Sequence, residues 1–556
     1  MTEDTVTVTF QPGGFEAEIS RDGNFMEASR LAGVSLESQC GGAGTCGRCR
    51  VVVISGEVAE PTESEKKLLT TTELAHGFRL ACLASAAPGE HRVELYMPPV
   101  SIVHEQKFQV EGLTLESALD PPVEIIEGAV PPHGLAVDLG TSKVAMFLVN
   151  FKSGKTEESI GFMNPQFPYG EDVISRIGYA GGGTDEAKLL RDLVVDGINE
   201  HLEEMLVDRA LAPEDVAGVT VVGNTAMHHL LLGLPVRQLG ASPFEPATRD
   251  AIERDAREMR MGVLPSAKVY MPPVIAGFVG SDNLAAIIAT RLHEEKGPCL
   301  LVDLGTNTEV ALRVGGRIVC CSCASGPAFE GEALRHGMRA SPGAVEMVKV
   351  GADGRLAVST VGDVEPIGIC GSGVLDAVAA LKDTGALDER GRLLPGHPGV
   401  VEEDGDAAYR LAPSSAIQQG WVLVTQHDVR EIQKAKGAVR AGIEMVLEHT
   451  GVSPREIRKV MLAGAFGSYI DPASAVSIAM LPPVPADRIV QVGNAAGVGA
   501  RELLCSMKLR KEAEELARTI EHLELVTYPR ADLFFASSML LSEESVGDYM
   551  SKWRGV

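Results

Sequence analysis

Three cysteines and four glycines fall within residues 39–49, QCGGAGTCGRC, and a further cysteine, Cys82, stands in RLACLAS. The spacing is C-x5-C-x2-C, then 32 residues, then Cys82. Four thiolates in this three-plus-one arrangement suit a [2Fe–2S] cluster, because a tight loop wraps one side and a distant cysteine closes the other. The glycines let backbone pass close and point N–H groups at the cluster's sulfurs. Zinc and free structural cysteines are the alternatives; a zinc site usually shows paired short knuckles or spaced histidines, and this loop has one knuckle. The loop also contains G-x-G-x-x-G, from Gly42 to Gly47. A dinucleotide-binding loop needs a strand before it and a helix after it. Here RCRVVVISGEV follows and reads as a strand, so that reading fails.

A second set of chemical residues is duplicated. GLAVDLGTSKVAMFLV begins at Gly134 and CLLVDLGTNTEVALRV begins at Cys299. Each is an apolar strand, the turn D-L-G-T, and a second strand. In the first copy Gly140, Thr141 and Ser142 offer N–H and hydroxyl groups to a phosphate; in the second, Gly305, Thr306, Asn307 and Thr308 do so. Asp138 and Asp303 are the candidate catalytic residues, each able to hold Mg²⁺ or position water. One such turn is a common strand connection; two on matching strand pairs point to a nucleotide site. A third piece, IRKVMLAGAFGSYID, is a strand over residues 459–462 running into Gly464, Ala465, Phe466 and Gly467, where bare backbone admits a purine or ribose. GICGSGVLDAVAAL and GNAAGVGARELL are further glycine turns opening helices. No G-x-x-x-x-G-K-[ST] occurs, which excludes a P-loop ATPase.

Other candidates weigh less. Cys320 and Cys321 adjoin on a strand and point to opposite faces, so they read as packing residues. His228 and His229 diverge by about 100° on a helix and read as structural. Gly326, Pro327 and Glu330 in SGPAFEGEALRHG follow the second hairpin, where a loop faces either the nucleotide or a partner.

The elements that position these residues form an α/β multidomain chain. A length of 556 residues predicts roughly three or four domains. TVTVTF, GGFEAEIS, RVVVISGEV and HRVELYMP read as strands and NFMEASRLAG as a short helix ending at Gly33. Three Pro-Pro pairs between residues 98 and 132 mark a stiff linker. Leu189, Leu190, Leu193, Val194, Ile198, Leu202 and Met205 form a helical apolar stripe. Asp428 and Glu431 resemble a capping box, with Gly451 as the helix stop. The net charge of −26 argues against nucleic-acid or anionic-membrane partners. The acidic, alternating start and the lack of an 18-residue apolar run predict a cytoplasmic protein without a spanning helix.

CGGAGTCGRC…RLACLAS resembles the [2Fe–2S] ferredoxin-like domains over residues 1–98. That resemblance implies a β-grasp fold with Cys40, Cys46, Cys49 and Cys82 as metal ligands. The paired D-L-G-T loops and the third glycine motif resemble the actin-like ATPase superfamily, whose two RNase H-like lobes pinch ATP. It implies residues 138–142 and 303–308 as phosphate loops and residues 464–467 as the adenosine loop. The expected units are 1–98 (cluster domain), 99–133 (linker), 134–295 (first lobe) and 296–556 (second lobe).

Nearly the whole chain resembles the reductive activators of corrinoid proteins, through AVDLGTSK, NPQFPYGEDVISRI, VGNTAMHHLLLG, LVDLGTNTEVAL, SGPAFEGEA, GICGSGVLD and LAGAFGSYID. The resemblance implies ATP-dependent reduction of an inactive Co(II) corrinoid to Co(I) for methyl transfer, with ATP, Mg²⁺ and a [2Fe–2S] cluster as cofactors. Its implied partners are a corrinoid protein and a low-potential donor such as ferredoxin or flavodoxin, with a homodimer possible. ATP makes sense there, because a one-electron gap of roughly 200 mV costs about 5 kcal/mol. A redox-sensing nucleotide-binding module and a small-molecule kinase with an accessory cluster are the competing readings. Activators of 2-hydroxyacyl-CoA dehydratases share the coupling but lack a separate N-terminal ferredoxin domain.

Overall fold

The computed structural model describes the chain apart from residues 1–4, 12–14, 33, 35, 37–41, 46, 48, 70–73, 75–76, 98–118, 124–131, 332, 352, 418–419, 544–548 and 552–556. Cys40, Cys46 and most of the expected linker therefore lie outside the described residues, as does the side chain of Ala465.

Alternation places Val6, Val8 and Phe10 on the buried face of β1 (Thr5–Gln11). This strand pairs antiparallel with β2 (Phe15–Ser20). With β3 (Arg50–Ser55), β4 (Phe78–Leu80) and β5 (Arg92–Tyr96) it forms a sheet of order β2-β1-β5-β3-β4, β1 and β5 being parallel. The helix Phe25–Leu31 is capped by Asn24, whose side chain accepts from the Glu27 N–H, and it buries Phe25, Met26 and Ala28. The result is the expected β-grasp.

The next sheet contains β6 (His133–Leu139), β7 (Lys143–Asn150), β8 (Thr156–Met163), β9 (Val216–Gly223), β10 (Ile252–Asp255) and β11 (Lys268–Met271), in the order β10-β11-β9-β6-β7-β8. A second copy opens with β12 (Cys299–Asp303), β13 (Thr308–Val314) and β14 (Arg317–Cys323). Two three-stranded sheets follow: β15 (Ala344–Val350), β16 (Leu356–Thr360) and β17 (Gly368–Ile369), then β18 (Val400–Glu403), β19 (Asp406–Pro413) and β20 (Trp421–Thr425). Then β21 (Lys459–Ala463), β22 (Ile489–Gly493) and β23 (Glu521–His522) complete the order β22-β21-β12-β13-β14-β23. In both large sheets a three-stranded antiparallel meander is extended from its first member by two parallel strands, β9 and β11 in one and β21 and β22 in the other. A repeated D-L-G-T hairpin thus opens each of two similar sheets.

The helices Ser281–Ala289 and Ala495–Cys505 lie between the two sheets. They approach so closely that a β-carbon on Gly499 would sit 2.1 Å from the Ala285 carbonyl oxygen. Leu284, Ile287, Val498 and Leu503 share one apolar cluster with Phe147 of the first sheet and Leu301 of the second. The late helix therefore seats against the earlier lobe as well as its own. The described part of the linker also joins this layer: Asp120 N–H donates to Cys505 O at 2.9 Å, and Met507 N–H donates to Asp120 O at 2.8 Å.

Three local expectations change. Leu190, Val194, Ile198, Leu202 and Met205 are buried on the Thr184–Arg209 helix, but Leu189 is 37% exposed because the core covers a narrower stripe. The Gln426–Thr450 helix starts earlier than its acidic pattern suggests: Thr425 is the cap and Asp428 completes its box, while Gly451 ends the helix at φ 71°. His228 and His229 are both buried, yet their rings meet, with Nδ1 atoms 3.2 Å apart. Cys320 and Cys321 separate into different apolar clusters, as strand geometry requires. Among the described residues no helix is long and apolar enough to cross a membrane.

Candidate functional site

In the N-terminal domain Cys49, just before β3, and Cys82, just after β4, come together at the end of two paired strands. Both are buried, with Sγ atoms 3.3 Å apart. The Ala81 N–H donates to Cys49 O at 2.8 Å, which fixes the two backbones side by side. Behind Cys82, Glu65 accepts from the Arg79 guanidinium at 2.9 Å and from the Leu80 N–H at 3.1 Å, both buried. Removing one partner of such a buried pair costs about 3–5 kcal/mol. Gly42, Gly44 and Gly47 have φ of 98°, 75° and 71°, and a β-carbon on Gly44 would sit 2.7 Å from Leu83. Two converging thiols beside a left-handed glycine loop fit an iron–sulfur cluster, with room made by the absent β-carbons.

The two D-L-G-T turns face each other across the cleft between the lobes. Ser142 Oγ and Thr306 Oγ1 are 2.9 Å apart, and Glu330 Oε1 accepts from Thr306 at 2.7 Å and Ser142 at 3.4 Å. Glu330, from the turn following β14, thus bridges both D-L-G-T turns. Asn224 Nδ2 donates to Thr141 Oγ1 at 2.9 Å, and Asn164 Nδ2 donates to Gly140 O at 2.8 Å. In the second loop Thr308 Oγ1 meets Ser325 Oγ at 2.9 Å, and Ser325 also donates to Gly305 O at 3.2 Å. The Asn307 carbonyl closes this turn, 3.1 Å from where a Gly305 β-carbon would lie. Lys143 is buried beside Glu330 and Arg339; burial lowers its ammonium from the usual lysine range, against the pull of Glu330.

Four carboxyl groups crowd the floor of this cleft. Burial raises Asp138 to about 6, although Asn494 Nδ2 donates to it at 2.8 Å. Asp282 rises to about 7, from burial and the neighbouring Asp138, against a backbone N–H from Asn283. Asp303 rises to about 8, from burial and then from Asp282 and Asp138. Glu309 is pushed well above the carboxylate range by burial, Asp282 and Asp303, while Ser322 donates to it at 3.2 Å. Mutual repulsion among these carboxyl groups adds to burial in disfavouring their charged forms.

At the third glycine motif the Gly464–Gly467 turn follows β21. Gly464 has φ 89°, and a β-carbon there would lie 2.3 Å from Leu304 O and 2.8 Å from Asp303 Oδ1. It therefore abuts the second D-L-G-T turn. Phe466 stacks on Phe329 with centroids 5.3 Å apart, and Gln491 Nε2 donates to Gly467 O at 2.9 Å.

The sequence-predicted residues of all three motifs meet at one cleft. Asp282, Glu309, Asn224, Asn164 and Asn494 escaped the sequence reading. Asn494 caps a helix in the quoted GNAAGVG stretch, and Asp282 follows a similar Gly-Ser turn, so helix-start patterns facing a glycine loop were the available signal.

Comparison with known proteins accords with this geometry. Residues 8–87 match a 2Fe-2S iron-sulfur cluster binding domain, residues 133–295 the RACo middle region, and residues 297–551 the C-terminal domain of RACo, the ASKHA domain. The corrinoid activation enzyme RamQ of Eubacterium limosum is 33% identical over 411 residues, covering 72% of this chain and 69% of that protein. The [Co(II) methylated amine-specific corrinoid protein] reductase of Methanosarcina barkeri is 28% identical over 436 residues, covering 72% and 76%. A solved structure of a reductive activator for corrinoid, iron-sulfur protein is 30% identical, with a TM-score of 0.69, and the match covers 96% of this chain and 98% of that one. The chain belongs to the family of reductive activators of corrinoid proteins.

Proposed function

We propose that this chain uses ATP to drive one electron into a corrinoid protein, reducing inactive Co(II) to the Co(I) form needed for methyl transfer. The observation that carries the reading is the union, on one chain, of a converging cysteine pair and a duplicated phosphate-loop cleft. The match over nearly the full length to a reductive activator supports it. Residues 1–98, 99–133, 134–295 and 296–556 serve as the working division.

Cys40, Cys46, Cys49 and Cys82 are the ligands in this reading, and a [2Fe–2S] cluster bound there supplies a one-electron carrier. In the cleft, residues 140–142 and 305–308 donate N–H and hydroxyl groups to the ATP phosphates. Asp138, held in place by Asn494, ligates Mg²⁺. Asp303, which burial and its carboxyl neighbours raise to about 8, would take the proton from the attacking water. Residues 464–467 present backbone to the adenosine. Closure of the lobes on nucleotide changes the protein's affinity for its partner, and only such a differential affinity shifts an equilibrium. The electron enters from a low-potential donor such as ferredoxin or flavodoxin, the protein works in the cytoplasm, and a homodimer is compatible with the fold.

The test is ATP turnover measured with and without a corrinoid protein poised in the Co(II) state. Turnover should rise with the partner and form no phosphorylated small molecule. Rates indifferent to every corrinoid protein of the host would defeat the proposal.

A further inference from the structure

One arginine of the cluster domain lies near Gly42 and bonds the ATPase lobe. Arg30 Nη2 donates to Pro168 O at 2.5 Å, and its guanidinium lies 4.6 Å from the Tyr169 ring centroid. The same Nη2 is 3.8 Å from where a Gly42 β-carbon would stand, and that point is 4.0 Å from Cys82 Cβ. Pro168 and Tyr169 form the helical turn Phe167–Tyr169.

That turn is tied rigidly to the first phosphate loop. Asn164 N–H donates to Ser142 O at 2.9 Å, and its side chain donates to Gly140 O. The Phe167 N–H returns to Asn164 O at 2.9 Å. From the other side, wholly buried Arg176 donates to Gly170 O at 2.6 Å and to Gln166 Oε1 at 3.1 Å. Arg339 covers the Phe167 ring at 5.1 Å. A phosphate seated between the loops has to part the Ser142 and Thr306 hydroxyls, which touch at 2.9 Å. Displacing Ser142 pulls on Asn164, and through it on the turn that Arg30 grips.

We propose that Arg30 is a domain latch that docks the cluster domain on the Phe167–Tyr169 turn, and that nucleotide in the cleft loosens it through Asn164. The latch parks the cluster domain against the lobe; its release frees that domain to meet a partner. Because coupling between sites is reciprocal, breaking the latch strengthens nucleotide binding by the factor by which nucleotide weakens docking.

The proposal rests on the cleft being a nucleotide site, and the test separates the two. Cluster-loaded full-length protein is compared with its Arg30→Gln and Tyr169→Ala variants, using ATP and a non-hydrolysable analogue as probes. Backbone hydrogen exchange is followed in residues 25–31 and 164–170, and the analogue's Kd is measured. In wild type the analogue should speed exchange in residues 25–31 about fivefold or more. In both variants exchange there should already be fast, unchanged by analogue, with Kd lowered by a similar factor. Visible absorbance checks that the cluster domain is folded; should Arg30→Gln lose it, Tyr169→Ala, which lies in the other domain, decides alone. Wild type that binds no nucleotide contradicts both readings. Wild type that binds nucleotide with silent residues 25–31, or variants with wild-type Kd and exchange, overturns the latch alone.

Discussion

The two lobes carry the same strand meander and the same D-L-G-T turn, but they place their aspartates in different company. Asp138 receives a hydrogen bond from Asn494, a residue 356 positions away, and stands at about 6. Asp303 has Asp282 and Asp138 as its charged neighbours and stands at about 8. The first turn is braced by amides, from Asn164 and Asn224, and the second by hydroxyls and a carboxylate, from Ser325 and Glu330. The two loops match in sequence, but burial and neighbouring carboxyls raise Asp303 further than Asp138, and we propose that this divides their roles. Two carboxyl groups with separated pKa values are the physical basis for divided roles.

The strongest challenge to that division is mutation of each aspartate. Asp138→Ala and Asp303→Ala should each lower ATP turnover on the order of 10²–10⁴-fold, with the cluster's visible spectrum unchanged. The isosteric changes should differ. Asp138→Asn should raise the Mg²⁺ concentration needed for half-maximal rate, whereas Asp303→Asn should lower kcat at saturating Mg²⁺. Identical profiles would mean that the lobes are functionally equivalent.

Next in size is a change outside both lobes. Cys82→Ser should strip iron and visible absorbance from the purified protein while ATP binding and turnover survive. This follows from the separate apolar core of the cluster domain. Purified wild type containing zinc and no iron would refute the ligand assignment.

Much of this architecture was legible beforehand, for reasons that differ by element. The strand–turn–strand copies were readable because apolar runs and D-L-G-T are local signals, and β6–β7 and β12–β13 formed where expected. The cysteine loop was readable from spacing alone. Asp282 and Glu309 were not, because each looks like an ordinary helix-start or strand residue until the lobes fold together. Asn494 was invisible for the same reason: its partner lies in the other lobe. Leu189 and the true start of the Gln426–Thr450 helix were missed because periodicity sets a face but not its width, and an acidic pattern serves equally at the cap or at the third position of a capping box.

A finer probe of the contrast removes the one donor that distinguishes Asp138. Asn494→Ala should move the acid limb of the ATPase pH profile upward by about one unit, the scale of a hydrogen bond to a charged group. An unmoved limb would show that the amide does not set the aspartate's ionisation.

The smallest effect is on stability. Asp138, Asp282 and Asp303 are raised above the ordinary aspartate range when folded, so the folded state binds more protons than the unfolded one. Their contribution is therefore most favourable below pH 4 and is lost as pH rises to about 8. In Mg²⁺-free protein the Tm should fall by a few degrees more between pH 5 and 8 in wild type than in Asp282→Asn, and Mg²⁺ with nucleotide should remove that difference. A Tm difference independent of pH would rule out the buried carboxyl cluster as its source.

The central claim, that nucleotide in the cleft drives an electron to the corrinoid, is tested most directly by anaerobic absorbance of the cobalt itself. Protein, a low-potential donor and a Co(II) corrinoid protein are mixed without methyl donor, so that methylation cannot draw the electron forward. With ATP and Mg²⁺ the Co(II) spectrum should convert to Co(I), and without ATP, or in Asp303→Ala, it should stay Co(II). Equal Co(I) yields with ATP, without ATP and with a non-hydrolysable analogue would contradict the account.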